Sequence, residues 1–259
     1  MTSIAAVNVV AFKTIVLKEI RRFMRIWVQT IVPPAVSALL YMMIFGTLIG
    51  SRVGEMDGHR YIDFIVPGII MMSVITNSYA NSVSSFFGAK FQSHIEEVLV
   101  APVHTVVILA GYIIGGVCRG LMVGALVALV SLFFTRLTIE NPLITLLIVV
   151  MTSMLFSIGG IINSIFAKGF DDISIIPNFV LTPLTYLGGI FYSIKLLPDF
   201  WQNLSMINPV LYMINGFRYG ILGTSDFSIA VSFVVIGLFI LLLGAIALYL
   251  LNKGVGIKR

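Results

Sequence analysis

The chain has 259 residues, of which 59% are hydrophobic and only 10% charged, and its mean hydropathy is +1.07. Soluble domains carry roughly 45–50% apolar and about 25% charged residues, so 16 basic and 11 acidic side chains cannot coat a soluble surface of this size. Composition therefore excludes disorder, a disulfide scaffold and a nucleic-acid-binding domain. It requires an integral membrane protein, whose pI of 9.4 reflects basic residues that orient spans against anionic lipid.

The first element is basic and amphipathic. At 100° per residue, Lys18, Arg21, Arg22 and Arg25 share one flank, and Val9, Phe12, Val16, Ile20 and Phe23 share the opposite one. That pattern predicts an interfacial helix over 8–25, lying in the cytosolic head-group layer. The plainer reading is a basic flank that only sets topology. A cleaved signal peptide does not fit, because the positive charges run up to Arg25 and the apolar run behind them is long and contains Pro33-Pro34.

Charges then punctuate the chain into membrane-length runs. A helix needs about 20 apolar residues to cross a hydrocarbon layer of about 30 Å. Residues 26–51, 64–89, 141–167, 173–194 and 227–252 are uncharged, and 105–135 contains one charge, Arg119. The fold class predicted is all-α, a single polytopic domain over 1–259. Its six transmembrane helices lie at about 26–50, 62–87, 105–134, 142–166, 173–193 and 227–251. One more run, 200–217, reads FWQNLSMINPVLYMINGF and is broken by Pro209. Lipid-exposed backbone must be hydrogen-bonded, so a broken segment survives only against protein or water. The outer segment 195–225 is therefore expected to be re-entrant.

Charge bias supports an even number of spans. Lys13, Lys18, Arg21, Arg22, Arg25, Lys90, Lys168, Lys253, Lys258 and Arg259 fall on one side, against Arg52, Arg60, Arg136, Lys195 and Arg218 on the other. The positive-inside rule then puts both termini in the cytosol.

Chemistry-bearing motifs are sparse. A P-loop needs a Gly-Lys step, and the chain has none. No Ser–His or Cys–His pair falls at membrane depth, which argues against an intramembrane protease. Cys118 is the single cysteine, and His59, His94 and His104 lie between spans without a metal-ligand cluster. No catalytic residue, metal or cofactor is expected in this chain. The acids fall at predicted span ends or outside the spans, which counts against an ion-coupled carrier.

Arg119 is the 15th residue of the 31 in 105–135, where a charge costs about 2.5–3.5 kcal/mol on insertion scales. It is read either as half of a buried ion pair with Asp171 or Asp172, or as a group in the permeation path or a moving helix contact. Around it, Gly111, Gly115, Gly116, Gly120 and Gly124 form small-xxx-small spacings. These suit close packing within the chain or a contact between subunits. In the loop 88–104, residues 92–99 can make about two helical turns before Pro102. Gln92, Glu96, Glu97, Val98 and Leu99 mix charge with exposed apolar groups there, suited to docking in a partner's groove; a solvated loop is the alternative. In the outer segment, Trp201, Asn208, Pro209 and Asn215 are candidates for an exit gate or for a passive cap.

Across nearly its whole length the chain resembles the membrane subunits of ABC-2 type exporters, and especially the YadH-type inner-membrane permeases of Gram-negative bacteria. The stretches that carry the resemblance are FMRIWVQT at 23–30, FIVPGIIMMSVITN at 64–77, FFGAKFQ at 86–92, EEVLVAPV at 96–103, FDDIS at 170–174, LTPLTYLGGIFYS at 181–193 and NPVLYMINGFRYG at 208–220. The resemblance implies a half-transporter in a bacterial inner membrane that pairs with itself and with two cytosolic ABC ATPase subunits. Those subunits would bind the ATP and Mg. It implies a coupling helix at 92–99 and re-entrant helices over 198–216. Relatives move polysaccharides, lipid-linked molecules or drugs, so no substrate follows. The competing classes are a stand-alone secondary transporter and a non-transporting membrane scaffold.

Overall fold

The computed structural model describes residues 4–256, apart from the side chains of residues 97–99. These residues are mostly helical, with one short hairpin. Helix α1 is Ile4–Arg25, and α2 is the continuous helical run Trp27–Val53. Strands β1 (Glu55–Met56) and β2 (His59–Arg60) pair antiparallel across Asp57 and Gly58. Both turn residues have positive φ, 50° and 78°, as a tight hairpin of this twist requires. Next come α3 (Tyr61–Phe91), α4 (His94–Val100), α5 (Thr105–Ser131) and α6 (Pro142–Phe166). Helix α7 covers 172–187, α8 is Asp199–Met206, α9 is Pro209–Leu222, and α10 is Ile229–Lys253.

Among the described residues five helices, α2, α3, α5, α6 and α10, are long and apolar enough to cross a membrane. Their burial follows their polarity. Helix α3 carries Ser73, Asn77, Ser78, Asn81, Ser82 and Ser85, which cannot face lipid, and most of the helix is buried. Helix α10 is almost wholly apolar, and little of it is buried. It presents Leu238, Leu241 and Leu242 outward. The predicted fifth span over 173–193 is shorter than expected. Helix α7 stops at Leu187, where Gly188 ends the helix and Gly189 turns the chain at φ 75°. Its 172–187 run covers roughly 24 Å at 1.5 Å per residue. It nevertheless connects the two ends of the molecule. Phe170, just before it, packs on Phe87 and Phe91, whereas the carbonyl of Phe191, just after it, accepts from Tyr61 Oη at 2.9 Å.

The glycine row on α5 is spent inside the chain. A Cβ on Gly111 would meet Ile15, one on Gly115 would meet Glu19, and one on Gly124 would meet Val74. At Gly116 a Cβ would overlap the hydroxyls of Ser157 and Ser82, and at Gly120 those of Ser78 and Ser153. Helices α3, α5 and α6 thus approach through small residues, the packing that replaces hydrophobic drive within lipid. These contacts leave the row no face for a second subunit.

Helix α1 is more deeply engaged than its wheel suggests. It runs alongside α5 in step: Asn8 Oδ1 accepts from the backbone N–H of His104, Ile15 faces Gly111, and Glu19 faces Gly115. Lys18, Arg21 and Arg25 remain exposed as expected, but Arg22 turns inward and Glu19 is fully buried.

Candidate functional site

Three places hold polar or exposed groups that the fold does not need for simple packing. The first is a cluster at the depth of the α5 midpoint. Arg119 is 9% exposed and donates through Nη2 to Asn77 Oδ1 at 3.0 Å and to the Thr30 carbonyl at 3.4 Å. That carbonyl is available for a local reason. In a helix it would accept from the N–H four residues on, which is Pro34, and proline has none. The same device recurs at α7, where Pro177 leaves the Ile173 carbonyl free and Asn163 Nδ2 reaches it at 3.4 Å.

One turn along α3 from Asn77, Asn81 receives Arg22: Nη2 donates to Oδ1 and to the backbone carbonyl, both at 2.9 Å. Glu19 accepts from Ser85 Oγ at 2.6 Å and lies 3.5 Å from Arg22. Sequence reasoning missed Glu19 and Arg22. The available signals were a single acid among the bases of α1, and the row Asn77, Asn81 and Ser85 at four-residue spacing. The expected partner of Arg119 is corrected as well. Asp172 spends its carboxylate on the backbone N–H groups of Lys168 and Gly169 at 2.8 and 3.1 Å, which hold it below the usual carboxylate range. Among the described residues Arg119 has no acidic partner. Between α2 and α3 lies a groove of about 370 Å³ that Arg119 helps to line, with Gln29, Ser37, Ser73 and Asn77 among apolar residues such as Pro33, Ile69 and Met72.

The second place is the end of the molecule that carries α4. Lys90 donates to the carbonyls of Ser164, Ile165 and Ala167 at 3.2, 2.6 and 2.8 Å, capping the last turn of α6. Three residues later Ser93 takes φ 60° and the chain enters α4. Phe87, Phe91 and Phe170 pack ring to ring at 5.0–6.0 Å, yet Phe91 and Phe170 are 62% and 61% exposed. A cavity of about 440 Å³ lies beside Phe87 and Phe91, with Glu96 of α4 and Lys168 on its wall. Of the candidate coupling residues, Gln92 and Glu96 are exposed at this end, and Ile95 is the buried anchor of α4. Glu97, Val98 and Leu99 belong to α4, but their side chains lie outside the described residues.

The third place is the α8–α9 pair. Asn208 caps α9, its Oδ1 accepting from Val210 N–H at 3.0 Å while Nδ2 donates to the Leu184 carbonyl at 2.6 Å; Pro209 follows at the first helical position. Asn215 Oδ1 accepts from Asp226 N–H at 2.7 Å, and Nδ2 donates to the Phe227 carbonyl at 3.3 Å. Both asparagines are thus fastened to backbone. Trp201 stands apart on α8, half-exposed beside Phe200. Arg218, expected as an outer-side charge, is buried instead. It donates to the Gly189 carbonyl at 2.8 Å and lies 3.8 Å over the Phe64 ring. Next to it Lys195 pairs with Asp226 at 2.8 Å, and that carboxylate raises the lysine above its ordinary value.

One family of sequences matches this chain over most of its length. Its sequence model, described as ABC-2 type transporter, matches residues 10–222. The chain belongs to the ABC-2 type transporter membrane family. Among its relatives, the inner membrane transport permease YadH of Escherichia coli (strain K12) is 59% identical over 249 residues, 96% of this chain and 97% of that protein. Nodulation protein J of Sinorhizobium fredii is 25% identical over 181 residues, 69% and 68% of the two chains. Nodulation protein J of Rhizobium meliloti is 24% identical over 187 residues, 72% and 71%. As an ABC-2 family member, the protein is a polytopic transport component of the membrane.

Proposed function

We propose that this chain is the permease subunit of an ATP-driven exporter in a bacterial inner membrane. It works as a homodimer with two cytosolic ABC ATPase subunits that carry the ATP and Mg, and itself hydrolyses nothing. The observation that carries the reading is the α4 end of the molecule, where a short helix and two largely exposed phenylalanines lie at one end of a chain without a P-loop. Exposed aromatics around a cavity, rimmed by Glu96 and Lys168, suit a soluble partner with an apolar anchor and a charged rim.

The topology in this reading has six crossings, with both termini cytosolic. Its supports are the basic excess on one side and the way α7 joins the two ends of the molecule. Asn8 and Gly256 also both sit at the α4 end, beside His104 and Ile165. Helix α1 lies at the cytosolic surface, where Lys13, Lys18, Arg21 and Arg25 meet head groups while Val9, Val10 and Leu17 meet tails. Helices α8 and α9 form the re-entrant segment, with the Asn208 bend held to the body of α7 at Leu184.

A second copy is called for by α2. Little of it is buried, and it exposes Gln29 and Ser37 as well as valines. Covering that polar strip with a C2-related copy would enclose one path between two chains. ATP on the partners would then bias inward- and outward-facing states. The test is affinity purification of the permease from its native membrane. An ABC ATPase should copurify in equal number with the permease, and glutaraldehyde should trap permease dimers. A monomeric permease that brings no ATPase would end the reading.

A further inference from the structure

We propose that the groove between α2 and α3 is a binding site for the anionic head group of an amphiphile, with Arg119 as its counter-charge. The inference rests on the permease reading and adds the class of molecule that is moved.

Charge balance is the first support. The cluster holds two cations, half-buried Arg22 and buried Arg119, and one anion, buried Glu19. Glu19 pairs with Arg22. Arg119 is left with Asn77 Oδ1 and the Thr30 carbonyl, which satisfy hydrogen bonds but carry no charge. Position 119 is more than three turns from either end of α5, far from the mobile anions of bulk water that would otherwise balance its charge.

Geometry is the second. Both bonds of Arg119 use Nη2, and its buried Nε has no partner among the described residues. Arginine binds carboxylate and phosphate through a fork of parallel donors, and most of that fork is unused here. Next to it the Gln29 amide and the Ser37 hydroxyl also line the groove. The groove volume, about 370 Å³, holds a phosphate or carboxylate with its neighbouring atoms but not a whole lipid.

The outer face of α2 supplies the place for a tail. Gln29, Pro33, Ser37 and Tyr41 line the groove at four-residue spacing. One residue back, Val28, Val32, Val36 and Leu40 make a parallel exposed apolar strip. Polar strip and apolar strip run side by side along one helix, which suits a molecule with both characters.

The test uses purified permease in dodecyl maltoside, without its ATPase, and equilibrium binding of radiolabelled dioctanoyl-phosphatidic acid. Saturable binding at one site per chain is expected. Arg119→Gln should weaken it about ten-fold or more, the scale of one charge-assisted pair. Asn77→Asp should weaken it similarly while leaving Arg119 in place, because it supplies an internal counter-ion. Dioctanoylglycerol, with the tails but no charge, should bind at least about ten-fold more weakly, as should inorganic phosphate, with the charge but no tail. Equal binding by wild type and both variants would overturn the proposal, and so would equal affinity for dioctanoylglycerol. Displacement by inorganic phosphate at the same concentration would reduce the site to a free-anion site and overturn it too. A second arm separates cargo from a resident lipid. In proteoliposomes with the ATPase, ATP should move the bound phosphatidic acid to the opposite leaflet. Retention through many turnovers would mark a structural lipid and overturn the export claim. Failure to copurify an ATPase strikes the permease reading, whereas the binding arm stands or falls on the permease alone.

Discussion

Arg119 on the third long helix donates to the carbonyl of Thr30 on the first, the carbonyl that Pro34 leaves without a helical donor. A proline pair that would weaken a lone helix thereby becomes a fastening point between helices, and the cation gains a neutral acceptor at membrane depth. Arg119→Leu removes that donor and leaves two acceptors, the Thr30 carbonyl and Asn77 Oδ1, without it, a cost of about 1–3 kcal/mol for each that stays unpaired. Arg119→Glu sets a carboxylate against two acceptors and should cost several kcal/mol more, roughly the penalty for an unpaired buried charge. Thermal unfolding in detergent, followed by the monodisperse fraction on gel filtration, should rank wild type above Leu and Leu above Glu. Equal stability of the Leu and Glu variants would contradict the placement.

The glycine row predicts a sharp contrast between neighbours. Gly120→Val must displace Ser78 and Ser153 between packed helices and should cost about 1–3 kcal/mol through overpacking. At Gly159 an added methyl would meet nothing within 4 Å, so Gly159→Ala should be neutral or gain up to about 1 kcal/mol from helix propensity. The folded fraction recovered from membranes measures both.

Glu19 links α1 to α3 through Ser85 and faces Arg22. Glu19→Gln can keep the Ser85 hydrogen bond but loses the charge, leaving two arginines unbalanced. Folding should weaken by about 1–3 kcal/mol, the range for a charged hydrogen bond. Arg22→Gln in the same chain should recover part of the loss, since the repulsion between cations falls. A double-mutant cycle on thermal unfolding reads the coupling, and strict additivity would show that Glu19 and Arg22 act independently.

Asp172 makes the start of α7 sensitive to acid. Two backbone N–H groups favour its ionised form, so its folded value lies below the ordinary 3.8. A depressed carboxylate contributes stability that is complete well above pH 3.8 and is lost as pH falls through the lower folded value. Limited proteolysis between Ala167 and Ser174 should therefore rise below about pH 4 in wild type. In Asp172→Ala it should already be high at pH 7 and show little further change. A flat wild-type profile would mean that these bonds do not hold the loop.

Much of the architecture is written in the spacing of charges. The uncharged runs at 26–51, 64–89, 141–167 and 227–252, with 105–135, each became one long helix. The run at 173–194 misled on length, because uncharged residues do not reveal that Gly188 and Gly189 end the helix before the hydrophobic stretch ends. Arg119 stood out in the sequence, but its partners did not. Charge-to-charge logic pointed to Asp171 or Asp172, whereas the carbonyl freed by Pro34 and an asparagine amide took the place. The wheel of α1 ordered its charges correctly around the axis and still put Arg22 on the outside, because a wheel carries no information about Asn81 on another helix. Asn208 and Asn215 stand out in the sequence as polar residues in an apolar run, but the backbone groups that hold them, Val210 N–H and Asp226 N–H among them, are not legible there.

The central claim is that an ABC ATPase docks on the α4 end and drives this permease. It is tested by the amount of ATPase that copurifies with affinity-tagged permease, together with transport-linked ATP hydrolysis. Wild type should bring down equal numbers of both subunits. Leu99→Asp and Phe170→Glu should lose most of the ATPase, whereas Glu97→Gln should lose little, since rim charges mainly steer encounter and apolar anchors hold a complex. Membrane insertion of all three variants should match wild type. Full ATPase recovery and coupled hydrolysis with both Leu99→Asp and Phe170→Glu would contradict the account.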